Sequence, residues 1–406
     1  MNEGDKIVTL PSPKKLGLYG AAAICAWLFI WFFQVVQGGW LFDRLGHPIV
    51  SNFLGIWVTG RMALTGQAAA TYDWNALYPV ERAVIGASAP DDFILPWFYP
   101  PTFLLATASL ALLPYLWSCL AWLAVTGIGY VAAIRAILPH RLGVVLALAA
   151  PPVLLNILLM ETGFAVAALT GTTLILMETR PILAGVALGA LTFKPQLGLL
   201  FPLILVLTGR WRVVFSAAAT TILLAGLAAL AFGIDVWRAY LQIGPAIGSV
   251  SLGGHVDYTG VQTWYSVACY LGAGSVLAWS VYAATAGGCT ALICWFWRQP
   301  VRYELKAAAL AIGSFLVTPY VMAHDTVLVV VAVAFLVKDS LAIGFRRGDI
   351  EIYALTLCAP LYQVFINSIV PILPAVYSGV LIWVVLRARA VGAGTELDTG
   401  LIARAP

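Results

Sequence analysis

The chain has 406 residues, of which 62% are hydrophobic and only 10% charged, and it carries a formal net charge of +4. Soluble domains run at ~45–50% apolar residues, so lipid must cover much of the surface, and the composition predicts an all-α polytopic membrane protein. The small positive balance gives no nucleic-acid signal, and six scattered cysteines without a CxxC pair and four dispersed histidines indicate neither a disulfide framework nor a zinc site.

In chain order, Lys14 and Lys15 close a short tail, residues 1–15. An apolar stretch follows with no small-residue cleavage site after it, which reads as an uncleaved first span over 16–36. Later apolar segments lie at about 116–137, 142–160, 162–178, 181–196, 197–209, 213–232, 272–297, 306–322, 324–338, 350–368 and 370–387. This gives about twelve transmembrane helices. The segments 181–196 and 197–209 meet at Lys194-Pro195-Gln196. Pro195 has no amide donor and disfavours helix at the residue before it, so a break is expected there.

One more apolar run, 100–113, lies between Pro100-Pro101 and Pro114. If it does not span, 17 of the 22 Lys and Arg residues fall on one side, leaving Arg44, Arg61, Arg82, Lys194 and Arg238 on the other. If it spans, most basic clusters move outside, against the positive-inside rule. The run is therefore read as re-entrant or interfacial, with both termini, 1–15 and 388–406, cytoplasmic. The first outer loop is then 37–113 and the second 233–271.

The outer face so defined collects Asp43, Asn52, Asp73, Glu81, Asp91, Asp92, Glu161, Lys194, His255, Asp257, His324 and Asp325. Residues 53–64, with Arg61, suit a helix lying in the interface. Gly253-Gly254-His255 sits in a glycine-rich stretch that suits a lid or a plain linker. Lys194 is the single charge between Arg180 and Arg210. A lysine at membrane depth costs ~2.5–3.5 kcal/mol on insertion scales, so it marks either a functional site or a side chain that snorkels to the interface. Glu161 is read as facing an aqueous cavity or as a loop carboxylate. His324-Asp325 can bind phosphate or sugar hydroxyls, or form a structural pair.

Several segments together resemble the bacterial polyprenyl-phosphate-mannose-dependent mannosyltransferase-like enzymes, glycosyltransferase family 87 of the C-type membrane glycosyltransferases. They are Phe53–Arg61, Thr71-Tyr72-Asp73, Phe98–Phe103, Arg180–Gly185, Phe193-Lys194-Pro195-Gln196 and Thr318-Pro319-Tyr320. The resemblance runs from about residue 40 to 387 and implies one membrane-embedded domain over 1–406, with interfacial helices in a long first outer loop.

It further implies transfer of a mannose-like hexose from a polyprenyl phosphate to a glycan or glycolipid acceptor. The reaction would take place at the periplasmic or extracellular face of a bacterial inner membrane. The candidate catalytic residues are Asp43, Asn52, Asp91 and Asp92. The donor phosphate would be held by Lys194, Gln196, His324 and Asp325, and substrate contacts would come from Arg61, Tyr99, Glu161 and His255. The family usually has Asp where this chain has Asn52, and a neutral amide cannot act as a base. It commonly has Gly-Gln-Asn where this chain has Met160-Glu161-Thr162. A lipid-linked sugar flippase and a non-catalytic glycolipid-binding relative are the alternatives. No P-loop, dinucleotide fingerprint or metal-ligand spacing occurs, so no cofactor is expected.

Overall fold

The structure is a computed structural model that describes residues 13–85, 95–243, 260–362 and 370–402. Asp91, Asp92, His255 and the glycine-rich stretch around it lie outside the described residues. Helices α1 (Pro13–Gln37), α2 (Asn52–Leu64), α3 (Trp74–Ile85), α4 (Pro101–Leu110), α5 (Tyr115–Ile137), α6 (Arg141–Ala149), α7 (Pro151–Leu159), α8 (Gly163–Leu176) and α9 (Pro181–Ala190) form the first half. Then follow α10 (Leu200–Leu207), α11 (Trp211–Phe232), α12 (Asp235–Gln242), α13 (Trp264–Tyr270), α14 (Ser275–Arg298), α15 (Tyr303–Val317), α16 (Val327–Ile343), α17 (Asp349–Cys358) and α18 (Leu373–Ile402). No strand occurs among the described residues.

Five helical segments are long and apolar enough to cross a membrane: Lys14–Gln37, Tyr115–Ile137, Trp211–Phe232, Ser275–Arg298 and Ala323–Ile343. The pair α6 and α7, bent by 46° at Pro151, makes a sixth if read as one broken span. This is fewer than the apolar runs in the sequence because proline and glycine cut several runs into helices too short to cross ~30 Å on their own. Helix α4 is such a piece. Its ten residues rise only about 15 Å.

Helix α16 is apolar all round from Val327 to Val337, and every residue from Val327 to Leu336 is buried, so it is the central post of the fold. By contrast, α1 exposes Leu18, Phe29 and Phe32, α11 exposes Phe215, Ile222 and Leu230, and α14 exposes Val276 and Leu277. Apolar surface on that scale belongs against lipid. The far end of α16 is tied by Asp339, which pairs with Arg302 at 2.5 Å and with Arg387 at 3.3 Å, while Arg387 also pairs with Asp349.

Helix α2 is helical over the expected residues, and Phe53 to Ile56, Val58 to Gly60, Met62 and Ala63 are all buried. The reason is a close approach to α4: a Cβ on Gly60 would lie 2.1 Å from the Thr107 carbonyl oxygen. Of its middle turns, Arg61 is exposed and Trp57 half-buried.

Helix α9, which leads to Lys194, is held by a glycine pair the sequence reading did not use. Gly185 and Gly189 are four residues apart, the spacing that lets two membrane helices approach backbone to backbone. A Cβ on Gly185 would sit 2.5 Å from Ser216 Cβ, and one on Gly189 would sit 2.5 Å from Thr220 Cβ, both on α11. Gly189→Leu is therefore expected to force α9 from α11 and destabilise the fold by roughly 1–3 kcal/mol. Thermal unfolding of the purified protein in detergent checks this, and an unchanged melting temperature would contradict the packing described.

Candidate functional site

The helix α9 ends at Ala190, and a 3₁₀ turn over Leu191–Phe193 leads to Lys194, whose backbone is extended (φ −132, ψ 68). A second 3₁₀ turn, Pro195–Gly198, follows. The expected break is present, and its cause is Pro195, which cannot supply an amide to continue a helix. The break turns Lys194 inward rather than toward the surface, and the residue is only 4% exposed.

Four ionisable side chains meet there. Lys194 Nζ donates to Asp325 Oδ1 at 2.5 Å and to Thr162 Oγ1 at 3.1 Å. His324 Nε2 lies 3.4 Å from Glu161 Oε1 and 3.9 Å from Asp325 Oδ2. Each carboxylate is also fixed by backbone: Asp325 Oδ2 accepts from the Met322 amide at 3.2 Å, and Glu161 Oε2 from the Thr162 amide at 3.0 Å. All four residues are buried. Lys194 does not snorkel, because two carboxylates are already at hand inside.

An aromatic wall closes one side. The Tyr99 ring centroid is 5.9 Å from Lys194 Nζ, within the range of cation–π attraction. Tyr99 and Phe103 both stack toward Phe193, next to the lysine in sequence. The Trp122 indole N–H donates to the Glu161 carbonyl at 3.3 Å.

The turn that carries Glu161 is unusual. Met160 has φ +54, one of two non-glycine residues with positive φ among the described residues; the other is Leu41 at φ +59. Strain of this kind is common at binding sites. Both residues line one cavity of about 390 Å³ with Ser51 and Asn52. Asn52, the first residue of α2, thus faces a cavity that borders the Glu161 turn. Beneath that turn, Asn156 is fully buried with both side-chain polar atoms unpaired among the described residues. A Cβ on Gly163 would collide with its Oδ1 at 2.5 Å and with the His324 carbonyl at 2.7 Å, so that position has no room for a side chain.

Of the residues singled out in the sequence, Lys194, His324, Asp325, Glu161 and Tyr99 come together. Gln196 is half-buried in the following 3₁₀ turn. Arg61 is not in the cluster; it is exposed, over the Trp57 ring. Asp43 organises a loop: its Oδ1 accepts from the Leu45 and His47 amides, and its Oδ2 lies 3.6 Å from His47 Nδ1. Thr162 and Asn156 were missed. A threonine and an asparagine in apolar sequence give no signal by themselves, although Thr162 adjoins the Glu161 position already marked. Among the described residues, no group of three or more His, Cys, Asp or Glu side chains is arranged to hold a metal ion.

The family model for glycosyltransferase family 87 matches residues 97–319, more than half of the chain. The chain belongs to glycosyltransferase family 87. No curated protein and no solved structure matches it. The matched range is narrower than the 40–387 over which the resemblance was read, so Asn52, His324 and Asp325 lie beyond it, while Tyr99, Glu161, Thr162 and Lys194 lie within it. As a member of this family the chain is a glycosyltransferase, and its long apolar helices make it a membrane one.

Glu81 of α3 is a second buried carboxyl group. It is fully covered, and neither oxygen has a hydrogen-bond partner among the described residues. It faces α2 where Gly55 has no side chain; a Cβ there would be 3.7 Å from Oε1. Burial pushes its pKa up to about 8, opposed only in part by the nearby Leu95 backbone. The folded protein therefore holds this proton more tightly than the unfolded chain does. The stabilisation is complete below the ordinary value of 4.5 and is lost as pH rises through about 8. Melting temperatures measured across that window should fall with rising pH, and Glu81→Gln should flatten the slope. An unaltered slope in the variant would show that other groups set it.

Proposed function

We propose that the chain transfers a mannose-like hexose from a polyprenyl phosphate to a glycan or glycolipid acceptor on the outer face of a bacterial inner membrane. The observation that carries this reading is Lys194: a buried cation at a helix break, with one N–H left after Asp325 and Thr162 take two. Asp325 and Thr162 hold the ammonium in place, and the third N–H is available to a phosphate oxygen. The acceptor oxygen attacks the anomeric carbon and its proton passes to a carboxylate of the first outer loop, with Asp43, Asp91 and Asp92 as candidates. The bond from the anomeric carbon to the phosphate oxygen breaks, and Lys194 steadies the departing polyprenyl phosphate. His324 and Gln196 flank the phosphate, and Glu161, Tyr99, Arg61 and His255 contact sugar.

The same reading treats residues 1–406 as one membrane domain of about twelve spans with both termini cytoplasmic. It counts the short helices α8, α9, α10 and α15 as spanning elements completed by their neighbours, a form tolerated where broken backbone is buried in protein.

The pairing of Lys194 with Asp325 dictates the form of the test. Lys194→Ala alone would leave a buried carboxylate without its partner, at a cost of about 3–5 kcal/mol. The informative variant is the double one, Lys194→Met with Asp325→Leu, which replaces the pair by apolar groups of similar volume. It is expected to fold as well as the parent and to lose transfer from a polyprenyl-phosphate hexose by roughly a hundredfold or more. Transfer at the parent rate would remove Lys194 from the mechanism.

A second reading, a non-catalytic glycolipid-binding relative, draws on Asn52, whose amide stands where the family usually has a carboxylate. If another carboxylate is the base, Asn52→Asp should leave transfer nearly unchanged. A gain of about a hundredfold or more would mean that the native chain lacks its base and would favour the second reading.

A further inference from the structure

A cleft of about 500 Å³ lies between the segment around residues 69–75 and helix α12, and it takes no part in the cluster around Lys194. Its volume is in the range of small-molecule sites. Tyr72, Asp73, Trp74 and Asn75 form one wall, and Gln242 and Ile243 the other. These residues come from two separate stretches of chain.

The chemistry of this lining is uniform. Asp73, Asn75 and Gln242 are planar polar side chains, and Tyr72 and Trp74 are aromatic. No lysine or arginine lines the cleft. Asp73, Asn75 and Gln242 are exposed, and the side-chain amides of the last two make no hydrogen bond within the described residues, so they are open to a ligand. Asp73 Oδ1 accepts from the Asn75 backbone N–H at 3.0 Å, which leaves Oδ2 to a ligand. The Trp74 indole N–H is buried and also unpaired among the described residues. Unused donors and acceptors next to aromatic surface match a pyranose, which has equatorial hydroxyls on its rim and C–H groups on its faces. A phosphate is disfavoured, because the one charge in the lining is negative.

One hydrogen bond connects the cleft to the lysine cluster. The Tyr72 hydroxyl donates to the Tyr99 carbonyl at 2.9 Å, and the Tyr99 ring faces Lys194. Tyr72 and Tyr99 thus link the cleft to the lysine cluster.

We propose that this cleft is the binding subsite for a neutral saccharide, the glycan part of the acceptor. Asp73 Oδ2, Asn75 and Gln242 hydrogen-bond its hydroxyls, and Tyr72 and Trp74 cover its faces. The assignment rests on the transfer reaction proposed above, which supplies the word acceptor; the binding of sugar does not.

The test is saturation-transfer NMR on the full chain in detergent, with a panel of methyl glycosides of mannose, glucose, galactose and arabinose and the methyl disaccharides of the first two. At least one member is expected to receive saturation. Asp73→Asn keeps the cap on α3, since Asn caps a helix as well as Asp does, yet it removes the charge. Gln242→Ala alters the opposite wall. Each should weaken binding about tenfold or more with unchanged melting temperature, and inorganic phosphate should not compete. Absence of binding by every sugar, full binding by both variants, or displacement by phosphate would each overturn the proposal. Sugar binding lost in the variants, together with no donor-dependent transfer by the parent, would uphold the cleft and reject the transfer reaction. Transfer with an acceptor KM unmoved in both variants would do the reverse.

Discussion

The ion pair between Lys194 and Asp325 joins parts of the chain 131 residues apart. Neither partner is tolerable at that depth without the other, because an isolated buried charge costs several kcal/mol. Once the pair forms, three elements are fixed together: the break after α9, the loop that enters α16, and, through Thr162, the start of α8. The Glu161–His324 contact joins two of these elements, the start of α8 and the loop that enters α16, and adds a second cross-link. A buried pair of this sort contributes little net stability compared with an apolar substitute, so what it adds is a fixed geometry rather than stability.

Much of this geometry was readable in the sequence, and the readable part follows a simple rule. Features set by neighbours in the chain were recovered. Pro195 breaks the helix at Lys194 because of its own ring, and the run between Pro100 and Pro114 is too short to span because its ends are prolines. Features set by contacts across the fold were not. The sequence grouped Lys194 with His324-Asp325 as phosphate holders but gave no sign that Lys194 and Asp325 pair directly or that His324 meets Glu161. It gave Glu81 no prominence, because a glutamate in an outer loop normally meets water, and only α2 packing over it makes it a buried acid. It gave no sign that α2 packs closely against α4, a contact that Gly60 permits. The Gly185–Gly189 spacing was present to be read, but four-residue glycine spacing becomes informative only with a partner, and α11 is that partner. The twelve apolar runs overstate the number of helices able to cross alone, since hydropathy does not register where a helix is cut.

Helix α16 is held by charge at both ends, with Asp325 just before its first residue and Asp339 near its last turn. Between these anchors the apolar run from Val327 to Val337 is 11 residues long, ~17 Å of helix. A post so fixed gives the cluster a rigid floor. The parts that differ most from regular helix, the Met160 turn and the Lys194 break, are set against it. This is the arrangement expected of a site that must hold its groups still in a low-dielectric interior.

The glycine contact between α9 and α11 has one more consequence. Helix α11 turns almost its entire outer surface toward lipid, and its other face has no slack against α9. The two must tilt as one body. Membrane helices answer a change in bilayer thickness chiefly by tilting, and α9 ends four residues before Lys194. A tilt of α11 would thereby be carried to the helix that leads to the buried lysine, through two hydrogen atoms where side chains would otherwise be.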